Sequence, residues 1–109
     1  MAKWSEDQCI VLVALFFLSE FKEGDDSHDF NLKISKYFKR SRASVDMQWR
    51  NIKSVLNDER NRFIAANIRD WVAFGINDLP KLKSMAGSIC IKNNWRFKRI
   101  IDYQDSVEN

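Results

Sequence analysis

Hydrophobic positions arrive along this chain in blocks, and the spacing changes from block to block. The first block, residues 9–18 (CIVLVALFFL), is apolar at every position. Ser5 followed three residues later by Gln8 is a capping-box pattern, and Glu6 and Asp7 sit where a helix N-terminus favours negative charge. The pattern predicts a helix starting there. Ala14, the cap and the length argue against a buried strand. A helix apolar all round has no stripe to give to water, so it is either wrapped by the other elements or lends part of its surface to a partner, with a homodimer as the simplest case. Phe21 can extend it, and Gly24, Asp25, Asp26 and Ser27 read as an acidic loop.

From Phe30 the spacing becomes 3.6. Phe30, Ile34, Tyr37 and Phe38 fall on one stripe of a short helix, with Lys33 and Lys36 off it. After a tight turn at Lys39 and Arg40, Ser41 is placed to cap a second helix running to about Leu56, in which Val45, Trp49, Ile52 and Leu56 fall at i, i+4, i+7 and i+11. At 100° per residue the opposite face presents Ala43, Met47, Arg50, Asn51 and Ser54, with Asp46 and Lys53 on its edge and Arg42 in the first turn. The pair predicts a helix-turn-helix.

The second half is less regular. Residues 58–74 place Phe63 or Ile64, Ile68, Trp71 and Val72 in helical register, with Gly75 as a terminator. Asp78 before Leu79 and Pro80 is a start signal for a helix carrying Leu82, Met85, Ala86, Ile89 and Cys90, interrupted at Gly87. Beyond Asn93 and Asn94 two readings stand. Trp95, Phe97, Ile100 and Ile101 belong to a last helix, or ICI and WRF are the arms of a hairpin around an Asn-Asn turn. Lys92, Arg96, Lys98 and Arg99 then form a basic face or a wing, and in both cases a secondary contact for a polyanion. A solvated charged face beside a buried Trp95 is the structural alternative.

Charge sharpens this picture. The net charge of +3 hides an uneven distribution: −5 over residues 1–32, +6 over 33–53, −1 over 54–79 and +3 over 80–109. Lys33, Lys36, Lys39, Arg40, Arg42, Arg50 and Lys53 stand against Asp46 alone in the basic block. Such polarity orients a protein on a polyanion. With 45% hydrophobic residues, 13% aromatics and 30% charge over 109 residues, the chain has the material for one soluble domain with a modest core. It holds no apolar run long enough to span a membrane and no secretion signal at its start, so an intracellular location is the expectation.

Candidate chemistry adds little. There is no phosphate loop with its lysine, no cysteine cluster and no histidine partner for a nucleophile, so no enzyme and no cofactor are expected. Cys9 and Cys90 read as small buried thiols rather than a disulfide. His28 with Asp25, Asp26 and Asp29 is the sole metal arrangement to weigh, and a surface loop of this composition is usually just solvated.

Several of these residues carry a family resemblance. Trp4, Ser5 and Glu6, the apolar helix that follows, and Arg40, Ser41, Ser44, Val45, Met47, Asn51 and Ser54 resemble the N-terminal helical domain found ahead of the nuclease in HNH-type, restriction-like endonucleases. The likeness covers about the first half of the chain and implies a DNA-recognition role. Lys39 stands where the turn would prefer glycine, and Arg42 where proline would suit the first helical turn. The nuclease is absent, because His28 is the sole histidine. Myb- and SANT-like domains share the initial tryptophan and a three-helix plan.

The expectation is therefore an all-α domain of five to six helices over residues 1–109. Residues 1–57 form a three-helix core with the helix-turn-helix, residues 58–109 a helical extension, with the short C-terminal hairpin as the variant. Double-stranded DNA is the expected partner. Arg42, Ala43, Asp46 and Arg50 face bases, Lys39, Arg40 and Lys53 hold phosphates, and Ser41 completes the DNA-binding set at the turn. The alternative is a small phage or mobile-element protein that inhibits a nucleic-acid-processing partner by protein contact.

Overall fold

The computed structural model describes residues 4–18, 28–57, 66–97 and 100, with the side chains of residues 28–31 outside that description. Within it the protein is all helical: α1 (Glu6–Leu18), α2 (His28–Phe38), α3 (Arg42–Leu56), α4 (Ala66–Asn77) and α5 (Leu79–Asn93). The capping box at the start of α1 is formed in both directions. The Gln8 amide donates to Ser5 Oγ at 3.1 Å, and the Ser5 amide donates to Gln8 Oε1 at 3.1 Å.

α1 is the centre of the molecule. Every residue from Cys9 to Leu15 is buried within a single copy of the chain. The helix packs against α5, α4 and α3. Neighbouring helices cover Cys9–Leu15, as the wrapped reading of this apolar run expects, and Phe16, Phe17 and Leu18 at its end are half-buried. A helix with no polar stripe is the element a small domain needs when four amphipathic helices share one core. Around it gather Ile34 and Phe38 from α2, Val45, Trp49 and Ile52 from α3, Ile68 and Val72 from α4, and Leu82, Ala86 and Cys90 from α5. One core serves both halves of the chain.

Two glycines behave differently from the sequence expectation. α4 runs through Gly75 to Asn77, so Gly75 terminates nothing. It is buried at the crossing of three helices, where a Cβ would stand 2.6 Å from Phe17 Cε2 and 2.8 Å from Leu82 Cδ2. The residue is there for closeness, not for its backbone freedom. α5 likewise continues without interruption through Gly87, which is also buried. Asp78 caps α5 as expected, accepting from the Lys81 amide at 3.2 Å with Pro80 in the first turn.

The hairpin variant is overturned as well. Ile89, Cys90 and Ile91 belong to α5, and no strand occurs among the described residues. Asn94 takes the left-handed conformation (φ 56°), and the Trp95 amide donates back to the Cys90 carbonyl at 2.9 Å. That is a helix C-terminal closure, made by an asparagine that tolerates positive φ. The chain then turns across α2: Trp95 lies 4.6 Å from Phe38 and Phe97 lies 5.3 Å from Tyr37, ring centre to ring centre. The Ile100 amide donates to the Phe97 carbonyl, and both side chains are buried.

Candidate nucleic-acid interface

The interface is built outward from the α2–α3 turn. α2 ends at Phe38, and Lys39 adopts φ 55°, the left-handed region that favours glycine. A lysine there costs about 1 kcal/mol, the strain its sequence position suggested. The turn holds it in place from both sides. The Arg40 amide donates to the Ser35 carbonyl at 3.1 Å, and the Ser35 hydroxyl donates to the Arg40 carbonyl. Ser41 then adopts the extended conformation of an N-cap and accepts from the Ser44 amide at 3.1 Å. Three residues thus separate α2 from α3.

A network absent from the sequence reading ties this turn to the start of α1. Trp4 Nε1 donates to Ser44 Oγ at 3.0 Å, and Gln8 Nε2 donates to the Phe38 carbonyl at 3.0 Å. The Arg40 guanidinium lies 5.2 Å above the Trp4 ring and donates to Gln8 Oε1 at 3.3 Å. Trp4 also meets Phe38 edge-on at 5.7 Å. Arg40, expected at a phosphate, is thus half-buried and engaged with Trp4 and Gln8 within the molecule. Glutamine three residues after Ser5 was readable as a cap. Nothing local signalled that its side chain also spans to residue 38.

On α3 the buried stripe is as its spacing predicts: Val45, Trp49 and Ile52 are buried and Leu56 is half-buried. The opposite face carries Arg42, Ala43, Met47, Arg50 and Lys53, all exposed. Asp46 is half-buried and its carboxylate lies 3.8 Å from Arg42 Nε, which leaves Arg50 as the side chain best placed to point outward from the middle of the helix. Asn51 Nδ2 donates to Gln48 Oε1 at 3.1 Å and Ser54 is half-buried, so neither belongs to the outermost line. From Arg42 to Lys53 the face spans about 16 Å of helix, enough to cross a major groove about 12 Å wide. Lys33 and Lys36 on α2 and Lys39 in the turn are also exposed.

The secondary basic group divides. Lys92 Nζ sits 2.9 Å from Asp7 Oδ2, at the seam of α5 and α1. Arg96 is exposed between Trp95 and Phe97, and its Nε donates to Asn94 Oδ1 at 3.5 Å. Lys98 and Arg99 lie outside the described residues, as do Asp25 and Asp26 of the weighed metal arrangement and the side chains of His28 and Asp29. Among the described residues no group of acidic, histidine and cysteine side chains is placed to hold a metal ion. An open groove between α1, α4 and α5 is lined by Glu6, Asp7, Ile10, Trp71, Met85 and Ile89.

Both cysteines are free and buried. Burial pushes the Cys9 thiol up to about 11, with the Arg40 charge pulling it down and Glu6 pushing it up; burial alone pushes Cys90 up to about 12. Asn67 Nδ2 approaches Cys9 Sγ at 3.3 Å. Two neutral thiols of this kind are packing groups. No described helix is long and apolar enough to cross a membrane. Comparison with known proteins returns no match: no family model, no curated protein and no solved structure matches the chain.

Proposed function

We propose that this protein binds double-stranded DNA, with α2 and α3 acting as a helix-turn-helix and the exposed face of α3 entering the major groove. The observation that carries this reading is the conjunction at one turn. A short helix, a three-residue connection and a capped second helix present Lys36, Lys39, Arg42, Arg50 and Lys53 to solvent together. Its role is that of a regulator or a stand-alone recognition module, in line with the resemblance to nuclease recognition domains. No catalytic step is assigned to it.

The division of labour follows from exposure. Arg50 reads a base, because guanidinium donates in pairs to guanine. Lys39 and Lys53 hold phosphates, and Arg42, braced by Asp46, sits at the groove edge. Gel-shift titration checks this: Arg50→Ala removes preference for a selected duplex, whereas Lys39→Ala weakens binding evenly across duplexes. Equal, sequence-independent losses for both variants would contradict base reading by α3.

One observation favours a second reading. Met47 is 55% exposed in the middle of the same face. Exposed methionines adapt readily to protein surfaces. A small phage-type or mobile-element protein that inhibits a nucleic-acid-processing partner by protein contact would use the face in that way. It would show no DNA affinity at about 150 mM salt and stable capture of an acidic partner.

A further inference from the structure

Four large apolar side chains are exposed among the described residues: Leu32, Met47, Ile76 and Ile91. One of them, Met47, lies on the outward face of α3. Ala43 stands one turn before it and is likewise exposed. The two are neighbours at i, i+4, and Arg50 follows Met47 at i, i+3. The face therefore carries a small apolar spot beside an outward guanidinium, on a helix that also exposes Arg42 and Lys53 and follows the exposed Lys39 of the turn. These basic side chains argue for a polyanion as the occupant, and within a major groove the one apolar feature on a base edge is the 5-methyl group of thymine.

Resting on the DNA-binding reading above, we infer that Ala43 and Met47 form a reader of thymine methyl groups, next to Arg50 as the guanine reader. Spacing supports the pairing. Three residues of helix advance about 4.5 Å, close to the rise of about 3.4 Å between base pairs, so Met47 and Arg50 reach neighbouring pairs. The preferred site then contains a thymine next to, or one step from, a guanine. Asp46 does not compete for this spot, because its carboxylate is turned to Arg42.

The test begins with duplexes selected from a random pool by the full-length chain. In the best duplex each thymine is replaced in turn by deoxyuridine, which keeps the pairing with adenine and removes the methyl group alone. Binding to the wild type is expected to fall about 4-fold at one or two thymines, the effect of losing one buried methyl contact. Met47→Ala, an exposed change that leaves the helical circular-dichroism spectrum intact, is expected to bind the thymine and deoxyuridine duplexes equally while still discriminating guanine through Arg50. Wild-type affinity unchanged at every deoxyuridine, with Arg50-dependent binding intact, overturns the methyl reader and leaves DNA binding standing. Absence of any salt-dependent duplex binding overturns both. Loss of thymine sensitivity in Arg50→Ala but not in Met47→Ala would also overturn the assignment.

Discussion

Two single positions separate the two reasons for a glycine, close packing and positive φ, and only the first of them holds one. Gly75 sits where a methyl group would press into the Phe17 ring and Leu82. Alanine has the better helix propensity by about 1 kcal/mol, yet overpacking a close helix crossing costs about 1–3 kcal/mol. Gly75→Ala is therefore expected to lower the urea midpoint, and an increase would show that the crossing relaxes freely. Lys39 is the reverse case: its φ of 55° is one that glycine adopts without strain. Lys39→Gly should stabilise the fold by about 1 kcal/mol in urea denaturation while weakening any polyanion contact through the lost charge. Stability unchanged or reduced would mean that the lysine side chain contributes packing that its exposure does not suggest.

At the scale of elements, the α1 start and the α2–α3 turn form one unit, joined by the Trp4–Ser44, Gln8–Phe38 and Arg40–Trp4 contacts. Trp4→Phe keeps an aromatic ring against Phe38 and removes the indole donor to Ser44. A loss of about 1 kcal/mol is expected from chemical denaturation, the usual worth of one hydrogen bond. No loss would mean that Ser44 finds another partner. The periodic elements were legible in the sequence because their signals are local. The Ser5–Gln8 box, the Ser41 cap, the Val45–Trp49–Ile52 stripe and the Asp78–Pro80 start each lie within one or two turns of helix. The misread features are long-range. Gly75 looks like a helix end until Phe17 and Leu82 are brought against it, and the contacts of Arg40 with Trp4 and Gln8 have no local signal. Asn93–Asn94 suits a hairpin turn and a left-handed helix end equally well, and the packing of Trp95 on Phe38 decides between them. Of the α3 face read from the wheel, Ala43, Met47 and Arg50 are exposed, because exposure opposite a strong stripe needs no partner, whereas Asn51 and Ser54 are half-buried.

The whole molecule combines a core wrapped around α1 with a lopsided charge. Its Cα radius of gyration of 13.2 Å matches the value of about 13 Å expected for a folded chain near this length. Both thiols belong to the core, which sets a pH dependence with a definite sign. In the folded protein they ionise near 11 and 12, against 9.0 for an ordinary cysteine, so the folded state holds the protons more tightly. Their contribution to stability is full below pH 9 and is lost as pH rises from there through the folded values. A thiol reagent at about pH 8 should label neither cysteine in the native protein and both after denaturation. Rapid native labelling would mean that the α1–α5 region opens readily.

Charge distribution makes the functional claim. α2, α3 and the turn between them expose Lys33, Lys36, Lys39, Arg42, Arg50 and Lys53. Under the proposed DNA-binding function, these side chains would displace counterions from the duplex, and the logarithm of affinity would fall linearly with the logarithm of salt at a slope of about 0.9 per phosphate neutralised. The most direct test is a fluorescence-anisotropy salt titration of the full chain on a duplex chosen by random selection. A steep slope is expected, of order 4 or more for a helix and its flanking turn, dropping by about 1 in Lys39→Ala. A flat salt response, or no duplex binding at low salt, would contradict it.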